Sequence, residues 1–261
     1  MNKLLVSGLA IASLLLFLGA SNNKTIKVGA TPVPHAELLA LVKDDLKSQG
    51  INLEVVEFTD YVTPNLALND GQLQANFFQH LPYLESFNRE RKLNLVSLAG
   101  IHVEPFGFYS KKIKNIKDLK ENALIAIPND PTNEGRALLL LEANGIIKLD
   151  AKAGLEGTPL NIVDNPKKLR FRELDAAQLP RVLQDVDGAL INGNYALDAK
   201  LNPVKDALLL EGAKSPYVNI LAVKAGTEKD PALLALVKAL QSEKVKQYIL
   251  KTYNGGVVPA F

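Results

Sequence analysis

The spacing of hydrophobic residues alternates along the chain between the two-residue period of a strand and the 3.6-residue period of a helix, and it predicts the secondary-structure elements. Ile26 and Val28 alternate with polar residues and predict a strand. The apolar residues of the next segment recur on one face of a helix over residues 35–48, and alternation over residues 51–55 predicts a second strand. A strand, a helix and a strand in this order form a right-handed βαβ unit with two parallel strands.

The same alternation continues towards the C-terminus. The further predicted elements are strands over residues 123–127, 188–191 and 218–223, with helices that start near residues 132, 194, 231 and 242. Repeated alternation of strands and helices is typical of α/β architecture. The sequence contains neither an internal repeat nor a long linker, so we expect two α/β lobes between which the chain crosses more than once.

The first twenty residues have the pattern of a secretory signal peptide. A short positive start, Met1-Asn2-Lys3, precedes a mostly apolar run over residues 4–20, which is shorter than the ~20 residues that a membrane-spanning helix needs. We therefore expect residues 1–20 to direct export. An uncleaved membrane anchor is the alternative.

The end of this segment resembles a bacterial lipobox with one change. Leu18-Gly19-Ala20-Ser21 carries serine where a lipobox has the lipidated cysteine, and Leu18 fits the small-residue rule of the ordinary signal peptidase poorly. Either the cysteine was replaced by engineering or the protein has lost its anchor. A chain with Ser21 cannot carry a thioether-linked lipid at this position.

Composition and charge narrow the possible function classes. Hydrophobic residues make up 47% of the chain and charged residues 22%, which supports a buried core and excludes a disordered chain. A net charge of +2, from 30 basic and 28 acidic residues, lacks the basic excess of a nucleic-acid binder. There is no cysteine for a disulfide or a thiolate site, and three histidines offer little for a metal. We therefore expect neither a metal nor a cofactor. The sequence contains none of the common hydrolase or nucleotide-binding motifs that would indicate an enzyme.

Arg136 is the first candidate for ligand binding. Ligands of open α/β sheets bind beyond the carboxyl ends of the strands, and Arg136 lies in the opening of the helix that follows the strand over residues 123–127. A cation at this position opposes the helix dipole unless an anion binds beside it. The alternative is an exposed arginine that pairs with Glu134 or Asp130.

Three asparagines follow or interrupt predicted strands. Asn192 and Asn194 flank Gly193 after an apolar strand. Asn194 is expected to cap the next helix, which leaves Asn192 available to a ligand. Asn219 lies inside another apolar strand, where its buried amide needs hydrogen-bond partners from a ligand or from the neighbouring backbone.

A further candidate is an aromatic cluster of Tyr61, Phe78, His80 and Tyr83. Aromatic residues at this density pack in a core or line a pocket. The polar tips of tyrosine and histidine suit a half-wet apolar pocket. From the pattern alone, both interpretations stay open.

Eight segments of the chain carry a resemblance to a known family: Gly29–Glu37, Phe58–Asn65, Asn76–His80, His102–Gly107, Asn129–Arg136, Glu173–Pro180, Asn192–Tyr195 and Ser215–Asn219. In this order they are similar to segments of the NlpA-type lipoproteins, the methionine-binding components of bacterial methionine ABC importers. The resemblance runs from the lipobox-like start to the C-terminus. Ser21 is the position at which this chain departs from the family.

The resemblance implies a two-lobed type II periplasmic-binding-protein fold of the α/β class. Lobe 1 would take residues 24–109 and 219–261, and lobe 2 residues 110–218. Two strands would cross between the lobes, near Phe108–Ser110 and Tyr217–Ile220.

The resemblance also implies roles for the candidate residues. Arg136 would hold a ligand carboxylate. The residues that would hold the amino-acid head group are Asn194, Asn219 and, as a further candidate, Asn192. The residues that would surround the thioether are Tyr61, Phe78, His80 and, as a further candidate, Tyr83.

In function, the resemblance implies an extracytoplasmic protein that captures L- or D-methionine between its lobes and delivers it to an ABC permease and its ATPase. It would be exported to the periplasm or cell envelope, with a membrane lipid anchor only if residue 21 is cysteine in the native protein. The alternative ligand is a methionine-containing dipeptide or another small amino acid. A surface adhesin, or a secreted enzyme with an acid–base pair of His80 and Glu134, would be a different class of function. We expect a non-enzyme that binds no nucleic acid.

Overall fold

A computed structural model describes residues 24–212 and 215–261 of the chain. The predicted signal peptide, residues 1–20, and Ser21 lie outside the described residues. Strands and helices alternate through the described residues, which confirms the predicted α/β class.

The elements are named here in chain order. The strands are β1 (Lys24–Ala30), β2 (Ile51–Glu57), β3 (Ala75–His80), β4 (Leu95–Val103), β5 (Gly107–Tyr109), β6 (Leu124–Pro128), β7 (Lys148–Leu149), β8 (Ile162–Asp164), β9 (Arg170–Leu174), β10 (Gly188–Ile191), β11 (Leu209–Leu210), β12 (Val218–Lys224) and β13 (Val258–Pro259). The helices are α1 (Glu37–Lys47), α2 (Thr63–Asn69), α3 (Leu81–Arg91), α4 (Pro131–Ala143), α5 (Gly193–Asp198), α6 (Pro203–Asp206), α7 (Pro231–Leu240) and α8 (Glu243–Tyr253).

The first sheet holds six strands in the order β13-β4-β12-β3-β1-β2. β1 pairs in parallel with β2 and with β3, so the parallel pair predicted on either side of the first helix is confirmed. β12 lies antiparallel between β3 and β4 and returns the chain to this sheet. Leu38 of α1, Leu236 of α7 and Ile249 of α8 are fully buried in the core over the sheet.

The second sheet holds five strands in the order β11-β5-β10-β6-β9. β10, β6 and β9 are parallel, whereas β5 and β11 add antiparallel pairs at one edge. Leu138 and Leu141 of α4 are fully buried with Ile125 of β6 in a second core. The two sheets thus have separate hydrophobic cores.

The chain passes between the two sheets twice. Residues 104–106 make the first crossing, from β4 to β5, and the chain returns between β11 and β12. The expected first crossing, near Phe108–Ser110, lies later than this, because Phe108 already pairs within the second sheet. The expected second crossing, near Tyr217–Ile220, coincides with the start of β12. As a division into lobes, the bounds 24–109 with 219–261 and 110–218 stay a prediction.

Several helices begin at residues whose side chains cap them. Asp130, Asp230 and Ser242 accept hydrogen bonds from backbone N–H groups in the first turns of α4, α7 and α8. These caps confirm the helix starts predicted at residues 231 and 242. Within residues 24–212 and 215–261, no helix combines the length and the apolar character that crossing a membrane requires.

Candidate functional site

A cavity between the two sheets gathers the residues predicted to bind a ligand. The unfilled space among its lining residues, open solvent included, is about 310 Å³. All eight predicted residues line it: Arg136, Asn194, Asn219, Asn192, Tyr61, Phe78, His80 and Tyr83. The other residues that line it are Gln79, Glu104, Asn133 and Gly193. The predicted residues are therefore brought together, while their part in binding stays a prediction.

The cavity lies where strands of both sheets end. β3 ends at His80, and Asn192 directly follows β10. Carboxyl ends from the two sheets therefore meet at the cavity, the position where open α/β sheets bind their ligands. Arg136 on α4 and Asn219 on β12 complete the polar lining.

Arg136 is buried and already holds an internal anion. Its Nε donates to Glu211 Oε1 at 3.1 Å, and its Nη2 donates to the other carboxylate oxygen of Glu211. The same Nη2 donates to the backbone oxygen of Glu104 at 2.9 Å. The partners considered from the sequence were Glu134 and Asp130, so Glu211 replaces both as the observed partner.

The guanidinium of Arg136 also packs between two aromatic rings. Its central carbon lies 4.2 Å from the ring centre of Tyr217 and 5.0 Å from that of Phe106. These contacts fix the orientation of the group. Nη1 has no hydrogen bond to any described residue, so this end of the guanidinium is available to a ligand anion.

His80 is held in one tautomer by two neighbours. Its Nδ1 accepts from the backbone N–H of Tyr83 at 3.1 Å, so the ring proton lies on Nε2, which donates to Asn133 Oδ1 at 3.0 Å. Burial and, second, the charge of Arg136 lower the pKa of His80 from 6.5 to about 3. His80 is therefore neutral at physiological pH, and both of its nitrogens support the cavity wall.

Asn192 and Asn194 each keep an amide atom free. Asn192 Nδ2 donates to Asn133 Oδ1 at 2.7 Å, and its Oδ1 is buried without a partner among the described residues. Asn194 Oδ1 accepts from the Tyr61 hydroxyl at 2.5 Å, which leaves its Nδ2. The helix begins at Gly193, so the capping position falls on Asn192 and the expected cap at Asn194 is wrong.

Asn219 connects the cavity to a buried cluster of side chains. Its Oδ1 accepts from His35 Nε2 at 3.1 Å. The same nitrogen lies 3.3 Å from Glu104 Oε1, and His102 Nε2 donates to that oxygen at 2.8 Å. Burial lowers the pKa of His35 to about 4 and that of His102 to about 3. Both imidazoles are therefore neutral at physiological pH; His102 donates to Glu104 and His35 to Asn219.

His35, His102 and Glu104 bring possible metal-ligand atoms within 4.8 Å of one another. His102 Nε2 donates its proton to Glu104 and His35 Nε2 donates its proton to Asn219, so these two possible ligand atoms are occupied by protons. The distal nitrogen of a metal-bound histidine is normally held by an acceptor, whereas His102 Nδ1 is buried without a partner among residues 24–212 and 215–261. The cluster fits a hydrogen-bonded carboxylate better than a metal centre.

Tyr61, Phe78 and Tyr83 form an aromatic wall along the cavity. The ring centre of Tyr61 lies 5.8 Å from those of both Phe78 and Tyr83, and the Tyr83 hydroxyl donates to the Tyr61 backbone oxygen at 2.9 Å. Phe78 is only 2% exposed and packs with Tyr83 and Phe87 in a small core. The same rings are therefore both core and cavity lining.

The acid–base pair considered for an enzyme is not assembled at the cavity. Glu134 is absent from the residues that line it. Burial raises the pKa of Glu134 to about 7, and the neighbouring carboxylates of Glu173 and Asp130 add to this shift. Because both nitrogens of His80 are already bonded, the two side chains share no common site for a substrate.

Four cavity residues and the partner of Arg136 were not predicted. Glu104 and Asn133 lie inside the segments that carry the family resemblance, but neither ends a predicted strand. A Cβ on Gly193 would lie 2.7 Å from Glu104 Cβ, so glycine allows α5 to approach Glu104 closely. Glu211 lies 75 positions from Arg136 and has no local signal that would link the two.

Known proteins resemble the chain over nearly its whole length. The family model described as NlpA lipoprotein matches residues 26–261. A probable D-methionine-binding lipoprotein MetQ of Vibrio cholerae is 41% identical over 261 residues, which cover 98% of this chain and 97% of that protein.

Two solved structures extend the likeness to the fold. A nutrient binding protein from Burkholderia cenocepacia, solved bound to methionine, is 51% identical with a TM-score of 0.88, and the match covers 90% of this chain and 100% of that one. A periplasmic substrate-binding protein of an ABC transporter from Coxiella burnetii is 47% identical with a TM-score of 0.86, again over 90% and 100% of the two chains. The predicted periplasmic-binding-protein fold is thereby confirmed.

Proposed function

The chain belongs to the NlpA lipoprotein family, and from this premise we propose that it is an extracytoplasmic protein that captures methionine in the cavity and delivers it to an ABC importer. A relative named for D-methionine binding and a similar structure bound to methionine support the ligand. The observation that carries the proposal is the layout of the cavity. Free donors and free acceptors lie beside an aromatic wall, as a zwitterion with an apolar side chain requires.

The carboxylate of the ligand binds to three donors. Nη1 of Arg136 supplies the charge, and Asn194 and Asn219 supply amide N–H groups, since their oxygens are already used by Tyr61 and His35. Hydrogen bonds between a guanidinium and a carboxylate are about twice as strong as those between neutral groups. Arg136 therefore contributes most at this end of the ligand.

The ammonium group of the ligand binds to Glu104 and Asn192. Oε1 of Glu104 accepts from His102 and lies against His35, which leaves Oε2 on the Gly193 side of the cavity. Asn192 Oδ1 is buried and free of partners among the described residues. An ammonium between these two oxygens satisfies both, and the carboxylate of Glu104 balances its charge.

The thioether packs on the aromatic wall of Tyr61, Phe78 and Tyr83. Sulfur–aromatic contacts contribute about 0.3–1.5 kcal/mol each. The polarizable faces of these rings therefore favour the side chain of methionine over a short or a polar side chain. The rest of the proposed function follows from the family: delivery to an ABC permease and its ATPase is supported by the similar protein from Coxiella burnetii, and a lipid anchor would require cysteine at residue 21.

The first test is the ligand itself. The purified chain is freed of bound small molecules by denaturing dialysis, refolded, and titrated calorimetrically with L-methionine, D-methionine and glycyl-methionine. Binding of either methionine enantiomer more tightly than the dipeptide supports the proposal. Tighter binding of glycyl-methionine would identify the dipeptide as the ligand instead of methionine. Absence of a binding signal for all three compounds would overturn the proposed function. Native mass spectrometry before dialysis gives an independent check of the retained ligand.

Replacement of Phe78 by alanine is expected to weaken methionine binding about tenfold while changing alanine or serine binding little. The reason is that only the long side chain reaches the ring. Phe87→Ala is the matched control, because Phe87 lies in the same small core but does not line the cavity. Calorimetry on both variants measures the difference. Equal losses for methionine and alanine in Phe78→Ala would mean that the ring acts only as core.

A further inference from the structure

Two histidines outside the cavity hold the Glu104 carboxylate from behind. His35 and His102 are both fully buried, and neither lines the cavity. His102 Nε2 lies 2.8 Å and His35 Nε2 3.3 Å from the same oxygen, Glu104 Oε1. One carboxylate oxygen therefore accepts a hydrogen bond from His102 and lies in contact with His35, while the other faces Gly193, whose missing Cβ leaves the space.

The neighbours of the two rings decide where their protons lie. The Thr31 hydroxyl lies 2.7 Å from His35 Nδ1 and donates to it, so the proton of His35 is on Nε2, which donates to Asn219 Oδ1. His102 donates through Nε2, and its Nδ1 has no partner in the part of the chain that the structure describes. Both rings are therefore neutral: His102 donates to the Glu104 carboxylate, and His35 donates to Asn219 while it lies against the same carboxylate oxygen.

We propose that His102, by its hydrogen bond, and His35, by its contact at 3.3 Å, are positioning residues for amino-group recognition, which hold Oε1 of Glu104 so that Oε2 is presented to the ammonium group of the ligand. The inference rests on the proposed function, because it concerns the amino end of the same ligand. A glutamate fixed before binding loses no rotamer freedom when the ligand arrives, which favours affinity. The N–H donor of His102 also favours the ionised form of this buried carboxylate.

Among the titratable groups of this cluster, Glu104 is the one whose protonation is expected to change with pH. The charged and titratable side chains around it are His35, His102, Arg136, Tyr61 and Tyr253. Burial raises the pKa of Glu104, and His35, the Asn194 N–H and Arg136 oppose this shift. The histidines stay neutral well above pH 4, and burial raises the pKa of both tyrosines. Loss of one N–H donor must therefore raise the pKa of Glu104 further.

The test compares His102→Phe with His102→Gln. Because Nδ1 of His102 has no described partner, a phenylalanine ring removes one hydrogen bond and keeps a ring against Phe77. Glutamine restores an N–H donor near the Nε2 position. At pH 6 we expect methionine to bind about tenfold more weakly to His102→Phe, and His102→Gln to stay within about threefold of the unaltered chain. The loss in His102→Phe shrinks as the pH rises, because Glu104 then ionises without help.

Two readouts separate positioning from a general loss of structure. Calorimetry in buffers of different ionisation enthalpy counts the protons released when methionine binds: we expect almost none for the unaltered chain at pH 7 and a substantial fraction of one for His102→Phe. The second readout is competition by 4-(methylthio)butanoate, which lacks the amino group and is expected to bind both variants alike. Should His102→Phe not fold, release of close to one proton by the unaltered chain would still overturn the proposal.

The outcomes distinguish this inference from the function on which it rests. No methionine binding by the unaltered chain would overturn the proposed function, and this inference with it. Methionine binding with equal losses for both ligands, no change in proton release and no rescue by glutamine would overturn the positioning role alone. A pH-dependent loss confined to the ligand with an amino group would support it.

Discussion

Arg136→Met is expected to weaken methionine binding by about 100-fold or more, the effect of removing one partner of a buried charge pair. Arg136 is 3% exposed, and its hydrogen bonds to described residues use Nε and Nη2, which leaves Nη1. Methionine at this position retains an unbranched side chain but cannot donate to a carboxylate. Titration calorimetry measures the loss, and circular dichroism checks that the variant is folded at the temperature used.

Glu211→Gln is the matched control for this variant. It keeps an acceptor for Arg136 Nε and removes the internal anion, and Glu211 does not line the cavity. Methionine should therefore bind Glu211→Gln at least as tightly as it binds the unaltered chain. A folded Arg136→Met variant that retained the original affinity would refute the assignment of the carboxylate to Arg136. Equal losses in the two variants would instead point to a structural role for the ion pair.

Glu104→Gln is the second substitution with a large expected effect, again a loss of about 100-fold in methionine affinity. The amide oxygen can still accept from His102, and His35 keeps its bond to Asn219, so the buried cluster remains hydrogen-bonded. The amide nitrogen then replaces Oε2, and a donor faces the ammonium where an acceptor stood. A repulsive contact thus takes the place of an ion pair.

The ligand without an amino group provides the control for Glu104→Gln. 4-(Methylthio)butanoate has no ammonium, so its affinity should be the same for the variant and the unaltered chain. Competition calorimetry gives both constants. If methionine and 4-(methylthio)butanoate lost affinity to the same extent, Glu104 would not be the acceptor of the amino group.

Elements whose hydrophobic pattern is regular could be predicted from the sequence. β1, α1 and β2 show clear alternation or a one-sided helical face, and α7 begins at an Asp-Pro pair. β3 was not predicted, because all six of its residues are buried and its two faces do not alternate. The position of the first crossing depends on which sheet β5 joins, and that pairing is a long-range property that no local pattern contains.

The candidate site could be predicted in part for the same physical reason. Residues that follow strands, such as Asn192, or that lie unusually for their element, such as Arg136 and Asn219, stand out in the sequence. Glu104 does not stand out in the sequence, since its proposed role depends on contacts with His35 and His102 that form only in the folded chain. Glu211 is joined to Arg136 only by the packing of the second sheet.

Arg136 is in contact with both segments that connect the two halves of the molecule. The backbone oxygen of Glu104 and the ring of Phe106 belong to the first crossing. Glu211 and Tyr217 belong to the second crossing, between β11 and β12. The side chain proposed to hold the carboxylate is therefore also anchored to both connecting segments. We expect a rotation of one half against the other to change the surroundings of its guanidinium, which would link the angle between the halves to ligand affinity in both directions. A transporter that recognises the angle between the two halves would thereby also respond to the amino-acid head group bound at Arg136.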